Sequence, residues 1–76
     1  MDFSEAFRYV GSGKRVRRAL WSTPEYSVNG KWLELTILHD EHGNSEECLV
    51  VRFTDGSFRL FSGANWDLCA EDWELV

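Results

Sequence analysis

Residues 48–61 read CLVVRFTDGSFRLF. β-Branched and aromatic residues flank Asp55-Gly56, a dipeptide favoured in tight hairpin turns, so the stretch predicts two antiparallel strands. The rest of the chain must then extend that ribbon or cover it. A two-residue turn sets Phe53 opposite Phe58 and Val51 opposite Leu60 on one side, and Arg52 opposite Arg59 on the other. Like charges directly across a ladder are destabilising unless something anionic lies between them. Two candidates fit that place, a carboxylate such as Glu34 from the neighbouring strand or a bound anion.

Upstream of the hairpin, residues 32–38, WLELTIL, predict a strand that is apolar on both faces and therefore at least partly covered on each. The intervening HDEHGNSEE is polar and turn-like. His39, Asp40, Glu41 and His42 have metal-ligating side chains, but no second ligand set stands elsewhere in the chain, and these residue types are what a solvated hairpin tip uses. Further upstream, STPEYSVNGK is punctuated by Pro24 and by the turn dipeptide Asn29-Gly30. Lys14 to Trp21 alternate with period two and predict a first strand, with Val16, Arg18 and Leu20 on one side and Arg15, Arg17, Ala19 and Trp21 on the other. Phe3, Ala6, Phe7 and Val10 fall on one stripe of a helix whose other face carries Glu5 and Arg8. Asp2 suits its start, and Gly11 and Gly13 supply positive-φ positions at its end.

Downstream, SGANWDLCAEDWELV offers Ser62 and Asn65 as caps. A helical turn then carries Trp66, Ala70 and Trp73 on one face, and WELV returns as an edge strand. The pattern as a whole is α+β: an N-terminal helix packed on a small, mostly antiparallel sheet, with a short C-terminal helical turn, in a single domain over residues 1–76.

Composition narrows the function. A core built from 76 residues seldom contributes more than about 3–5 kcal/mol of net stability, so such chains lean on disulfides, metal or self-association. Cys48 and Cys69 come without a signal peptide or a membrane-spanning run, which points to a reduced cytoplasmic protein, and no Cys/His spacing fits zinc. Self-association is left. Eight basic residues against thirteen acidic give a net charge of −5, which disfavours general nucleic-acid binding. The sequence holds no catalytic elbow or phosphate loop, and GSGK at 11–14 is too short for one, so the reading is of a non-catalytic protein without cofactor.

The basic residues concentrate in the first half. Lys14, Arg15, Arg17 and Arg18 run directly into Trp21, which offers cations for an anion beside a ring on which a base can stack. The opposite reading makes Trp21 core and pairs the arginines with the acidic second half. Four Trp, two Tyr and five Phe exceed what so small a core buries with every indole N–H satisfied, so one or two of these rings should lie in a pocket or interface.

Both ends of the chain resemble a known family. DFSEAFRYVGSGKRVRRALW is similar to the opening of short phage and prophage proteins that begin with a Phe-x-x-Ala helix, then Gly-Lys, a basic strand and a Trp. DGSFRLFSGANWDLCAEDWELV is similar to their ending, with its Asp-Leu-x-Ala-x-Asp-Trp signature at Asp67, Leu68, Ala70, Asp72 and Trp73. The family includes the second type of Thoeris anti-defence protein. The resemblance implies a homo-oligomer, dimer or tetramer, in the bacterial host cytoplasm. It would bind a cyclic ADP-ribose isomer, or in some relatives a CBASS-type cyclic oligonucleotide, in pockets between protomers. On that reading Arg15, Arg17 and Arg18 supply cations and Trp21 the stacking surface. Phe61, Asn65, Trp66, Asp67, Asp72 and Trp73 are the further ligand-binding positions. Phe61 stands where relatives as a rule have Trp, and Trp66 where a small polar residue is commoner. The competing reading is an acidic inhibitor whose Asp67, Glu71, Asp72 and Glu74 imitate a nucleic-acid backbone to block a CRISPR or restriction complex.

Overall fold

Asp2 starts the first helix, α1 (Phe3–Gly11), by accepting the Glu5 N–H at 2.9 Å, a cap worth about 1 kcal/mol. A computed structural model of the chain describes residues 1–22 and 31–76. The turns expected at Pro24 and Asn29-Gly30 lie outside the described residues. Ala6 and Val10 are fully buried along the anticipated stripe, while Phe7, at its margin, is 48% exposed. The chain leaves the helix through Gly13 at φ 86°. Gly11 does not share that role, as its position in the sequence suggests it should: it completes the helix and is not at positive φ.

Five strands follow: β1 (Val16–Arg18), then a 3₁₀ turn (Ala19–Ser22), β2 (Lys31–His39), β3 (Ser45–Phe53), β4 (Phe58–Leu60), a short helix α2 (Asn65–Leu68) and β5 (Trp73–Leu75). They form one sheet in the order β4-β3-β2-β1-β5, every neighbouring pair antiparallel. The architecture is α+β, as the sequence pattern implies. Helix α1 crosses β1, β2 and β5. Ala6, Val10, Val16, Trp21, Leu33 and Trp73 make the core beneath it, with Phe3, Leu35, Leu49, Val51 and Phe61 packed around them. Each large apolar side chain buried here contributes about 1.5–3 kcal/mol.

Three expectations about local structure change. The first strand stops at Arg18 because the Ala19 N–H bonds the Asp72 carbonyl at 3.0 Å and the Asp72 carboxylate takes the Leu20 N–H. These bonds draw the chain toward β5 and carry Trp21 inward. In the tail, Ala64 rather than Ser62 or Asn65 occupies the N-cap of α2, without a side-chain bond, and Trp73 belongs to β5 instead of sharing a helical face with Trp66.

The third change concerns the hairpin of residues 48–61. The Gly56 N–H bonds the Phe53 carbonyl at 3.0 Å and the Phe53 N–H bonds the Ser57 carbonyl at 2.9 Å, with Gly56 at φ 92°. The loop is therefore Thr54-Asp55-Gly56, a turn closed by a left-handed glycine. Asp55 fixes it by accepting the Ser57 N–H and hydroxyl at 2.9 and 2.6 Å. The register becomes Val50 with Leu60, Val51 with Arg59, and Arg52 with Phe58. A slip of one residue turns β4 over. Arg59 joins Val51 on the helix-covered face, and Leu60 joins Val50 on the other. Because β4 is so short, Ser45 to Cys48 of β3 have a sheet partner only on the β2 side among the described residues.

Candidate functional site

Strand β1 sends alternate arginines to opposite faces. Arg17 pairs directly across the ladder with Glu74, Nε to Oε1 at 2.8 Å. Arg18, on the helix-covered side, donates from Nε to Asp72 and from a terminal nitrogen to Asp67 at 2.7 Å. The side chains of Arg18 and Asp67 are only 12% and 14% exposed. The hydrogen bond between Arg18 and Asp72 is the main cause holding the guanidinium above its ordinary pKa and the Asp72 carboxyl below the usual carboxylate range. Arg15 is exposed and lies 4.8 Å over the Trp32 ring. The cationic run of the sequence is thus dispersed, and Arg17 and Arg18 are engaged by carboxylates of the acidic second half.

Trp21 is 5% exposed and meets Trp73 edge-on, centroids 5.3 Å apart. Trp73 in turn contacts Phe3 and Phe61 and donates its indole N–H to the Asp67 carbonyl at 2.9 Å. Phe61 stacks on Phe3 at 5.8 Å. Trp21, Phe61 and Trp73 are therefore packing residues in the protomer first. A Trp21 side chain that contributes little to the core, as the stacking-surface role implied, is not what the fold contains.

The outer rim of Trp21 nevertheless borders two adjoining hollows, of about 260 and 480 Å³, which share Trp21, Lys31 and Asp67. The first opens over β2 to β4 and is lined also by Phe53, Arg59, Phe61 and Ser62. The second runs toward α2 past Arg18, Leu20 and Trp66. Lys31 Nζ sits 4.6 Å over the Trp21 ring. Burial lowers the pKa of this ammonium, the Asp67 charge opposes that shift and the Arg59 charge adds to it. The Arg59 guanidinium lies 5.3 Å from the Phe53 ring. Among the described residues no carboxylate comes within ion-pairing distance of Lys31 or Arg59. Trp66 stands at the rim, 74% exposed, and its neighbour Asn65 is exposed as well.

Lys31 is not among the residues that the sequence singles out, and Arg59 is singled out only as the supposed cross-strand neighbour of Arg52, a pairing that the observed register replaces. Arg59 becomes readable only once the loop is known to hold three residues, since a two-residue turn puts it on the opposite face. The anion question posed by Arg52 has an ordinary answer there: Arg52 donates to Glu34 at 2.7 Å, the Trp32 indole N–H donates to the same oxygen at 3.0 Å, and the Arg52 guanidinium covers Phe58. At the far hairpin tip the Asp40 carboxylate accepts the N–H groups of His42 and Asn44, each at 2.9 Å. Among the described residues no His, Cys, Asp and Glu side chains gather as a metal site requires. No described helix is long and apolar enough to cross a membrane.

The whole chain, residues 1–76, matches the Tad2-like family model, described as the Thoeris anti-defense 2-like domain. The chain belongs to that family, and membership supports an anti-defence role. No curated protein matches it.

Proposed function

We propose that this Thoeris anti-defense 2-like domain sequesters a cyclic nucleotide immune signal, a cyclic ADP-ribose isomer or a cyclic oligonucleotide, without altering it chemically. The observation that carries the proposal is the pair of adjoining open hollows at which the Lys31 ammonium lies over the Trp21 ring, with Trp66 exposed at the rim of the larger. Aromatic surface beside cations is what a base joined to phosphates requires, and stacking one base is worth about 1–3 kcal/mol. A sponge that competes with the signal's own receptor needs a dissociation constant near nanomolar, about −12 kcal/mol. One protomer offers only a portion of such a site. A second copy that closes the hollow in a symmetric dimer or tetramer supplies the rest and also the buried surface that so short a chain lacks.

In this account Arg18, Asp67, Asp72 and Trp73 frame the wall of the site, and Trp21, Phe61, Asn65 and Trp66 offer its surfaces. Arg15 and Arg17 lie away from the two hollows. The test mixes the purified protein with the products of an activated TIR enzyme, re-isolates it, denatures it by heat and identifies the released small molecules by mass spectrometry. Release of an intact cyclic nucleotide supports the proposal. A protein that protects phage while releasing none overturns it.

The nucleic-acid-mimic reading loses its main support in the ion pairs. Of its four tail carboxylates, Asp67, Asp72 and Glu74 face arginines of the same chain. A row of carboxylates engaged at home presents little charge to a partner.

A further inference from the structure

We infer that Lys31 and Arg59 form an anion clamp in the smaller hollow and hold a phosphate or diphosphate group; the assignment rests on the nucleotide reading and names the residues that would meet the ligand's charge. Lys31 lies opposite Phe53 across β2 and β3, and Arg59 opposite Val51 across β3 and β4. Residues opposed across a ladder share a face, so both side chains rise from the same side of the sheet and flank β3. Both line one hollow together with Ser62.

Lys31 and Arg59 are not direct cross-strand neighbours, since β3 separates them, but both line the same hollow, and two like charges there favour an anion between them. Burial lowers the pKa of the Lys31 ammonium most, the Asp67 charge opposes that shift, and the Arg59 charge adds a smaller lowering. Elsewhere on this sheet the same chain provides the anion: Glu74 for Arg17, Asp67 and Asp72 for Arg18, Glu34 for Arg52. The carboxylate that borders the clamp, Asp67, is held 2.7 Å from Arg18 and ion-pairs with that residue rather than with Lys31 or Arg59. The rings of Trp21 and Phe53 lie under the two cations and fix them in place before any ligand arrives. That preorganisation reduces the ordering cost of binding.

Calorimetric titration of the full chain with inorganic pyrophosphate and, separately, with cyclic ADP-ribose tests the clamp. Lys31→Met and Arg59→Ala are each expected to weaken capture of both probes about tenfold or more, the scale of a lost charge-assisted contact. Arg17→Ala, on the opposite face, should leave both affinities unchanged, and Lys31→Arg should restore most of what Lys31→Met loses. Melting curves confirm that each variant is folded. Affinities that neither substitution changes overturn the clamp while leaving the nucleotide reading in place. Pyrophosphate binding that depends on both residues, without any capture of a cyclic nucleotide, keeps the clamp and removes that reading. A parent protein that binds neither probe overturns the clamp, and the nucleotide reading is then decided by the capture of small molecules from the TIR products.

Discussion

Two charge clusters meet at Asp67 and differ in one respect. Arg18, Asp67 and Asp72 form a closed set, each charge met within the protomer, with Arg18 and Asp67 largely shielded from water and Asp72 half-exposed. Lys31 and Arg59, on the other side of Asp67, form an open set whose charges have the same sign. A cation that is conspicuous in the sequence because it stands in a run is not thereby available. Availability depends on which carboxylates the fold brings opposite it.

The contrast is sharpest if the floor common to both clusters is removed. Trp21→Ala is expected to cost about 3–5 kcal/mol, as deletion of a buried aromatic side chain does, and to lower the urea midpoint accordingly. A smaller loss, with ligand capture abolished, would move Trp21 from core to site. Arg18→Met should cost about 2–4 kcal/mol in the same assay, because it leaves one mostly buried and one half-exposed carboxylate without their cation. By contrast Arg59→Ala should change stability by no more than about 0.5 kcal/mol, since the lost contact with Phe53 is offset by relief from Lys31. If Arg59→Ala destabilised the protein as much as Arg18→Met, the open cluster would be structural and the comparison would fail.

Acid distinguishes the clusters by sign. The Asp72 carboxyl has a folded pKa below its unfolded value, chiefly because Arg18 donates a hydrogen bond to the ionised form. Its stabilising contribution is therefore complete above the ordinary carboxylate range, about pH 4, and is lost as pH falls through the depressed value. Asp40 and Asp55, which accept hydrogen bonds within their turns, act in the same direction. Asp72→Asn is thus expected to flatten some of the fall in melting temperature below about pH 4, leaving the share due to the turns. The tail adds another small effect: Glu71→Gln with Glu74→Gln should leave nucleotide capture intact and cost less than about 1 kcal/mol, as exposed pairs do.

Much of the fold is legible in advance where a pattern repeats. The helix over Phe3 to Val10, the presence of a hairpin in residues 48–61 and the edge strand at Trp73 follow from periodicity, whereas Glu34 meets Arg52 without standing between two opposed arginines, since Arg52 faces Phe58. What escapes such a reading is set by single backbone bonds. Thr54-Asp55-Gly56 and Asp55-Gly56 are equally good loops by composition, yet one residue of difference decides the face on which Arg59 stands. Likewise nothing in KRVRRALW signals that a strand ends at Arg18, because the bonds that end it come from Asp72, at the other end of the chain. Trp21 is readable as an aromatic beside cations. That it is buried against Trp73 depends on that same distant attachment.

The brevity of β4 has a further consequence. From Ser45 to Cys48 the outer side of β3 has no strand partner among the described residues, and such an edge is a template onto which an identical strand could add without limit. Glu46 and Glu47 occupy that stretch, both exposed. Successive residues of a strand point to opposite faces, so together they place a negative charge above and below the exposed margin. Two copies approaching edge to edge bring these charges together, and fibrous growth is opposed while assembly through other surfaces is left open. Carboxylates remote from both hollows, which offer nothing to a nucleotide, thereby oppose edge-to-edge pairing of the sheet.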